Sequence, residues 1–316
     1  MTASPVSLPT VALIVNPRAR RVDAGLRAAA VRALAERGLE SVLVTRSSGD
    51  AHRHAAAAAA AGVALVVSLG GDGTANEVAG ALAGGGAAMC ALPAGGTNIF
   101  ARAQGWPAEP ALALQSLERA LDRPRMRELR LGELTLGPDA AGQRLTRVFC
   151  VNAGVGLDAE TVHLVEAHQG LKRTLGQAGF VLAAARSFGR RSNLRATVDD
   201  GGEMELATLV AACGAPYAYL GRRRFDLVPG AAFDGNLEWL GLRRARAHEV
   251  AMIVARALDG ARHLDHPALA HGWARRAIAI RSEPPVAVQA DGEPLGRHTE
   301  IEIRPGPGIL ALAPSV

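Results

Sequence analysis

Lysine is almost missing from this chain. Lys172 stands alone among 316 residues, and arginine carries nearly all of the positive charge. Aromatics make up only 3%, so a core must be built from alanine, valine and leucine. The cysteines are Cys90, Cys150 and Cys213, far apart and each in an apolar context. Their odd number and their spacing argue against a disulfide framework and against a zinc site, and lead one to expect buried free thiols in a reducing compartment. No run of about 18 uninterrupted apolar residues occurs, so no membrane-spanning helix is expected. Residues 1–10 have no basic stretch followed by an apolar one, so no signal peptide is expected. The Gly-x-x-x-x-Gly-Lys-Ser/Thr phosphate loop is absent, as is the set of protein-kinase motifs. The net charge is +5 and the pI about 9.8. That balance reflects either an arginine-rich composition or attraction to an anionic surface or substrate. No basic motif interleaved with aromatics points to nucleic acid.

What is present begins with alternation. The length suggests roughly two domains with ample core. Apolar runs at 11–15, 41–45, 63–67 and 87–92 read as buried parallel strands. Helical patterns at 23–37, 51–61, 75–83 and 109–121 separate or follow them, with Asp50 as the expected N-cap of the second. This is the pattern of a doubly wound α/β domain, in which ligands gather at the carboxyl ends of the strands. Three loops lie at that edge: Asn16–Arg21, Gly70–Thr74 and Pro93–Asn98. Gly70-Gly71-Asp72-Gly73-Thr74 sits where a strand meets a helix. Backbone N–H groups and the helix dipole can hold a phosphate there. The glycines would allow close approach and positive φ.

The texture changes near residue 125. Short strand-like runs follow at 129–136, 146–153, 194–199, 204–213, 236–242, 277–281 and 286–290, with helices at 158–168, 171–187 and 247–257. They predict a second domain of mostly antiparallel sheet, an antiparallel β-sandwich with helical insertions. Pro305-Gly306-Pro307-Gly308 breaks the pattern before a last apolar strand at 309–313. The expected domains are 1–128 with 306–316, and 129–305.

Several side chains admit two readings. Asp291 and Glu293 follow the apolar run 286–290. A continuing strand would put both carboxylates on one face and raise one pKa, whereas Asp-Gly-Glu-Pro also suits a polar hairpin turn. Asp72 could serve a metal or the acceptor, or close an Asx-type bond in its loop. Asp158 could meet an acceptor or cap a helix. His263-Leu264-Asp265-His266 is read as a solvated turn rather than a metal site. Arg222-Arg223-Arg224 and the group Arg186, Arg190, Arg191 and Arg195 read as solvated faces or as a surface for anionic head groups.

The loops together resemble a known family. Gly70–Thr74 is similar to the loop shared by NAD kinases, phosphofructokinases and the diacylglycerol kinase/sphingosine kinase catalytic domain. Asn16-Pro17, Thr45 with Gly49-Asp50-Ala51, and Pro93–Arg102 resemble further elements of that domain. So do Gly154-Val155-Gly156-Leu157-Asp158 and Asp291-Gly292-Glu293. Their order covers nearly the whole chain and resembles the bacterial diacylglycerol kinase-like lipid kinases. Arg18-Ala19-Arg20-Arg21 departs from the family's small residues, and Thr97 stands one place after the usual hydroxyl position, here Gly96.

The resemblance implies ATP and Mg²⁺ as cofactors, with ATP in a cleft between the domains. Asn16, Pro17, Arg18, Thr45, Gly70, Gly71, Asp72, Gly73, Thr74, Asn76, Glu77, Gly95, Gly96, Thr97 and Asn98 would bind the nucleotide. It implies Glu293 as proton acceptor, with Asp291 and Asp72 supporting the chemistry, and Asp158 near the acceptor. Asp234 with the carbonyls of Ala231 and Asn236 would hold a structural Mg²⁺, the alternative being a plain hairpin turn. The partner is a lipid at a membrane surface; nucleic acid is not expected and a homodimer is left open. The implied location is cytoplasmic, peripheral at the inner membrane surface. The alternatives are a soluble-acceptor kinase of the NAD kinase type and a non-catalytic nucleotide-binding sensor.

Overall fold

The computed structural model describes residues 10–138, 142–167, 193–221, 223–260 and 262–315. The expected helix 171–187, Lys172, Arg186, Arg190, Arg191 and Arg222 lie outside the described residues. The chain divides into two units, Met1–Leu129 with Gly308–Val316, and Arg130–Pro307.

The first unit runs β1 (Val11–Val15), α1 (Ala24–Ala35), β2 (Leu39–Val44), α2 (Asp50–Ala60), β3 (Leu65–Gly70), α3 (Asp72–Leu82), β4 (Ala88–Pro93), α4 (Ile99–Ala103) and α5 (Pro110–Asp122). The strands are parallel, in the order β4-β3-β1-β2. The last residues of the chain extend this sheet, Leu310 pairing parallel with Ala88. β1, β3 and β4 are buried along their whole length, because helices cover both faces of a parallel sheet. Asp23 caps α1, accepting from the N–H of Leu26 at 2.7 Å. Connections leave β1 toward β2 on one side, while β3 lies on the other. The topological switch point therefore falls between the carboxyl ends of β1 and β3.

Two expectations change here. The glycine loop is not a separate loop: β3 reaches Gly70, Gly71 is extended at φ −99°, and α3 starts at Asp72. Gly70, Gly71 and Gly73 are absent from the positions with positive φ, and at Gly70 and Gly71 the value of glycine is space, since a Cβ would meet Thr74 and Gly95. Asp50 does not cap α2 either, since Gly49, at φ +83°, holds that place. The Asp50 carboxylate instead accepts from the N–H groups of Arg46 at 2.7 Å and Ser47 at 2.8 Å and pairs with Arg53.

Those backbone bonds to Arg46 and Ser47 hold the Asp50 pKa at about 2, below its usual 3.8. The folded pKa is the depressed one. The stabilisation is therefore present above about pH 4 and is lost as the pH falls toward about 2. Asp50→Ala should flatten the stability profile in that window, measured by urea unfolding at a series of pH values. An unchanged acid limb would remove Asp50 from the account.

The second unit is antiparallel. Its elements are β5 (Met126–Leu136), β6 (Leu145–Phe149), β7 (Asn152–Gly156), α6 (Leu157–Ala167), β8 (Leu194–Val198), β9 (Met204–Leu206), β10 (Thr208–Ala212), β11 (Ala218–Leu220), β12 (Arg223–Phe225), β13 (Leu237–Leu242), α7 (Ala247–Leu258), β14 (Leu269–Ala274), β15 (Ile278–Ala290) and β16 (Glu293–Leu312). The main order is β14-β13-β10-β7-β15-β16, with β5 paired to β6 and β8 lying between β15 and β9. The expected run 146–153 divides into β6 and β7. The gap is Cys150-Val151, whose N–H groups turn to a distant carboxylate. The run 204–213 divides into β9 and β10. Runs 277–281 and 286–290 fuse into β15, which passes Pro284-Pro285 where the register shifts between Arg281 and Val286. Pro305–Gly308 does not interrupt β16. Those prolines follow the last pairing with β15 at Ile303 and precede the pairing at Leu310.

α7 buries Ile253 and Ala257, and Ile253 packs with Leu240, Leu242 and Leu269. His263 is 0% exposed and bonds the Leu227 carbonyl at 2.8 Å through Nε2. The solvated turn expected there is corrected at His263, whose ring is buried, and burial lowers its pKa; Asp265 stays exposed. All three cysteines are free and buried, as expected. Burial pushes the Cys90 and Cys213 thiols up, which leaves them inert. Among the described residues no helix is long and apolar enough to cross a membrane.

Candidate functional site

In the first unit a cavity of about 240 Å³ opens over the switch point. Asn16 and Arg18 after β1, Thr45–Ser48 after β2, Ala51 of α2, and Gly73, Thr74 and Glu77 of α3 line it. Asn16 ties the crevice together. Its Nδ2 donates to Thr74 Oγ1 at 2.9 Å, and its Oδ1 accepts from the N–H of Arg18 at 3.0 Å. Gly71 and Gly95 bring two loops into backbone contact; a Cβ on Gly95 would lie 2.6 Å from the Gly71 Cα. Gly95→Ala should therefore push the loops apart and weaken binding of ATP, used as a polyanion probe of the cavity, by about tenfold, read by equilibrium titration, with the sheet intact by circular dichroism. Unaltered affinity would show that this contact does not shape the cavity.

Two helix N-termini reach the cavity, and they differ. Glu77 closes the first turn of α2, accepting from the N–H groups of Gly49 at 2.8 Å and Ala51 at 3.0 Å and from Ser48 Oγ. Among the described residues no side chain caps α3. The N–H groups of Gly73 and Thr74 and the positive end of the dipole face the cavity and are suited to an anion. Arg18 and Arg46 add two guanidinium groups for which no partner is seen among the described residues. The one acid of the lining, Glu77, is spent on α2. The cavity is therefore cationic, fitted to a polyanion such as a nucleotide's phosphates.

Of the nucleotide-binding residues expected from sequence, Asn16, Arg18, Thr45, Gly73, Thr74 and Glu77 line this one cavity. Pro17, Gly70, Gly71, Asp72, Asn76 and Gly95–Asn98 are not part of its lining. Asp72 accepts from the N–H of Phe100 at 3.2 Å, joining α3 to α4. Asn98, in the left-handed region at φ 53°, closes on Gly95: Oδ1 takes its N–H at 2.7 Å and Nδ2 donates to its carbonyl at 3.2 Å. Gly96 and Thr97 are exposed. Asn76 Oδ1 is buried without a hydrogen-bond partner. Sequence reasoning missed Arg46, Ser47 and Ser48. They lie inside the Thr45…Gly49-Asp50-Ala51 element, where only the matching positions had been carried forward. Arg21 turns away, bonding the Ala108 carbonyl at 2.9 Å.

The second unit holds the other candidates. Asp291 and Gly292 form a two-residue turn between β15 and β16, with φ 47° and 79°. Both values are positive, as a type I′ hairpin requires. Of the two readings of this segment, the hairpin turn holds: Ala290 pairs with Glu293 across the turn, and the period-2 argument does not apply. The Asp291 carboxylate accepts from three successive N–H groups, Cys150 at 2.6 Å, Val151 at 2.8 Å and Asn152 at 3.0 Å. Glu293 pairs with Arg147 at 2.5 Å, both half-exposed. Arg147 carried no sequence signal.

Asp158 begins α6 and points inward. Its carboxylate accepts from Tyr217 Oη and from Gln289 Nε2 at 2.9 Å. Burial raises its pKa against those two hydrogen bonds. Burial and the Asp158 charge push Tyr217 well up. Gly154 makes the room, since a Cβ there would meet Asp158 Oδ2 at 1.7 Å. Gly156, at φ +85°, turns the chain from β7 into α6. Asp234 is exposed, with Oδ1 accepting from the N–H of Asn236 at 3.0 Å. Glu238 holds the neighbouring N–H groups of Gly230 at 2.6 Å and Ala231 at 3.0 Å.

Comparison with known proteins bears on these loops. Residues 10–126 match the diacylglycerol kinase catalytic domain, and residues 151–313 match the YegS C-terminal NAD kinase beta sandwich-like domain. A probable lipid kinase YegS-like from Xanthomonas euvesicatoria is 31% identical over 284 residues, 87% of this chain and 88% of that one. The chain belongs to the YegS-like lipid kinase family. A YegS-like relative from Pseudomonas aeruginosa is 39% identical over 163 residues, 51% of this chain. That match spans about half of the relative's own length, 48%. A diacylglycerol kinase structure from Bacillus anthracis has a similar fold, with a TM-score of 0.67 at 21% identity over 97% of both chains. Yeast NADH kinase is more distant, with a TM-score of 0.58 at 12% identity, covering 98% of this chain and 85% of that one. The family and the fold class expected from the sequence are both borne out.

Proposed function

We propose that this YegS-like chain is an ATP- and Mg²⁺-dependent lipid kinase acting on diacylglycerol or a related lipid at a membrane surface. The observation that carries the reading is the uncapped N-terminus of α3 facing a cavity with Arg18 and Arg46. The α3 N–H groups and the two guanidinium groups hold the phosphates. The lipid hydroxyl oxygen bonds to the γ-phosphorus, the bond to the β–γ bridging oxygen breaks, and ADP leaves with that electron pair. The hydroxyl proton passes to the Glu293 carboxylate, which Arg147 orients. The Asp291 turn sets where Glu293 stands.

Mg²⁺ bound with the nucleotide neutralises charge developing on the phosphate oxygens. A structural Mg²⁺ would be held by the Asp234 carboxylate with the carbonyls of Ala231 and Asn236. One carboxylate, two carbonyls and water form the kind of hard, partly hydrated oxygen set that this ion takes. The exposed Asp234 carboxylate, with Oδ1 accepting from the N–H of Asn236, fits that donor set.

The test is the purified protein with Mg-ATP and mixed micelles of diacylglycerol, monoacylglycerol, ceramide and sphingosine, with NAD as a soluble control. Phosphorylated lipid is the expected product. NADP formation, or ATP binding with no product from any lipid, would overturn the reading.

A further inference from the structure

We infer that Gln289 is a positioning residue that sets the Asp291-Gly292 turn, splinted from behind by α6. The inference rests on the kinase reading above for its catalytic consequence, but its structural content stands on hydrogen bonds alone. Gln289 is 1% exposed. Its Nε2 donates to Asp158 Oδ2 at 2.9 Å and to Asn152 Oδ1 at 3.2 Å. Both neighbours are acceptors, so the amide has one sensible orientation. That orientation aims Oε1 at the turn, where it accepts from the N–H of Gly292 at 2.9 Å. Asn152 closes the other side: its carbonyl accepts from the N–H of Asp291 at 2.8 Å, and its own N–H goes to the Asp291 carboxylate. The N–H groups of both turn residues are thus tied to the buried frame beneath them.

The frame is itself anchored. Tyr217 Oη donates to Asp158 Oδ1, so the carboxyl group that holds Gln289 is fixed at both oxygens. Two more contacts bolt α6 to the same hairpin. His163 Nε2 meets the Val288 carbonyl at 3.0 Å, and Glu160, whose side chain is 2% exposed, pairs with Arg297 at 2.5 Å. A type I′ turn of Asp and Gly forms readily by itself. It does not need an amide locked beneath it to reverse the chain. What the lock adds is a single position for the first residue of β16, and that residue is Glu293. A general base must sit within hydrogen-bond reach of the proton it takes, and misplacement by about 1 Å costs up to about a hundredfold in rate.

The experiment compares wild type, Gln289→Met, Gln289→Glu and the double variant Gln289→Glu with Asp158→Asn. Amide hydrogen exchange of peptides spanning the hairpin tip should quicken by about tenfold or more in Gln289→Met, with the rest of β15 and β16 unchanged. Its kcat on the lipid should fall by about 10- to 100-fold while the nucleotide KM stays within about twofold. Gln289→Glu sets two carboxylates against each other. Adding Asp158→Asn restores a donor facing an acceptor and should recover part of kcat. Unchanged exchange at the tip would overturn the inference, as would an unchanged kcat or a double variant no better than Gln289→Glu. A wild type inactive on every lipid would instead sink the kinase reading, and the exchange data would still decide whether Gln289 holds the turn.

Discussion

Glu293→Gln is expected to lower kcat on the lipid by about 10²–10⁴-fold, the usual contribution of a positioned general base. Nucleotide affinity should stay within about twofold, because the cationic cavity is lined only by residues of the first unit. The substitution keeps the length of the side chain, and the amide oxygen can still accept from Arg147. Stability should barely change. The Arg147–Glu293 pair is half-exposed, with side-chain exposures of 37% and 43%, and such pairs contribute only about 0–1 kcal/mol. A fall in rate therefore reports chemistry and not unfolding. Single-turnover measurement of lipid phosphate at saturating ATP checks it. A loss of less than about threefold would place the base elsewhere.

Asp291→Ala should be the most destabilising single change in the second unit, by about 3–5 kcal/mol, and should abolish turnover with it. The carboxylate takes three successive backbone N–H groups, those of Cys150, Val151 and Asn152. Hydrogen bonds to a charged group contribute about 1.5–3 kcal/mol each, though not additively. Alanine also tolerates φ 47° poorly, which adds about 1 kcal/mol. For a unit of this size the midpoint should fall by roughly 10 °C. Asp291→Asn separates the two causes. Asparagine accepts the left-handed backbone but brings only one acceptor oxygen, so about half of the loss should remain. Calorimetry on both variants checks the ratio. If both unfold as the wild type does, Asp291 is not the keystone of this junction.

The legible parts of the molecule are those whose physics is local. Val11–Val15 and Ala88–Pro93 read as strands because a parallel strand covered on both faces is apolar throughout. Asn16, Thr45 and Thr74 come together because carboxyl ends of neighbouring parallel strands share one edge. Asp291-Gly292 was also legible as a hairpin, since Asp-Gly between apolar runs is a strong turn signal. Of the two readings open for this segment, the hairpin is the one the structure adopts.

Other features were closed to any reading of neighbours. Glu77 caps a helix whose N-terminus lies 26 to 28 residues upstream. Asp291 finds its N–H groups about 140 residues earlier in the chain. His263 looked solvated beside Asp265 and His266, yet it is buried, with Nε2 on the carbonyl of Leu227, 36 residues earlier. Glycine at 70, 71 and 73 promised positive φ. At 70 and 71 it serves close packing instead, against Thr74 and Gly95.

By itself, then, the sequence determined the two kinds of sheet, the loops at the strand ends and the family to which they belong. Each rests on hydrophobic period or on motif order, which a linear chain displays. Only the tertiary structure decided which helix N-terminus stays open to an anion, and which carboxylates are spent inside the protein. Those outcomes depend on partners far away in the chain. A charge is available to a ligand only when no distant N–H, hydroxyl or guanidinium group has already taken it.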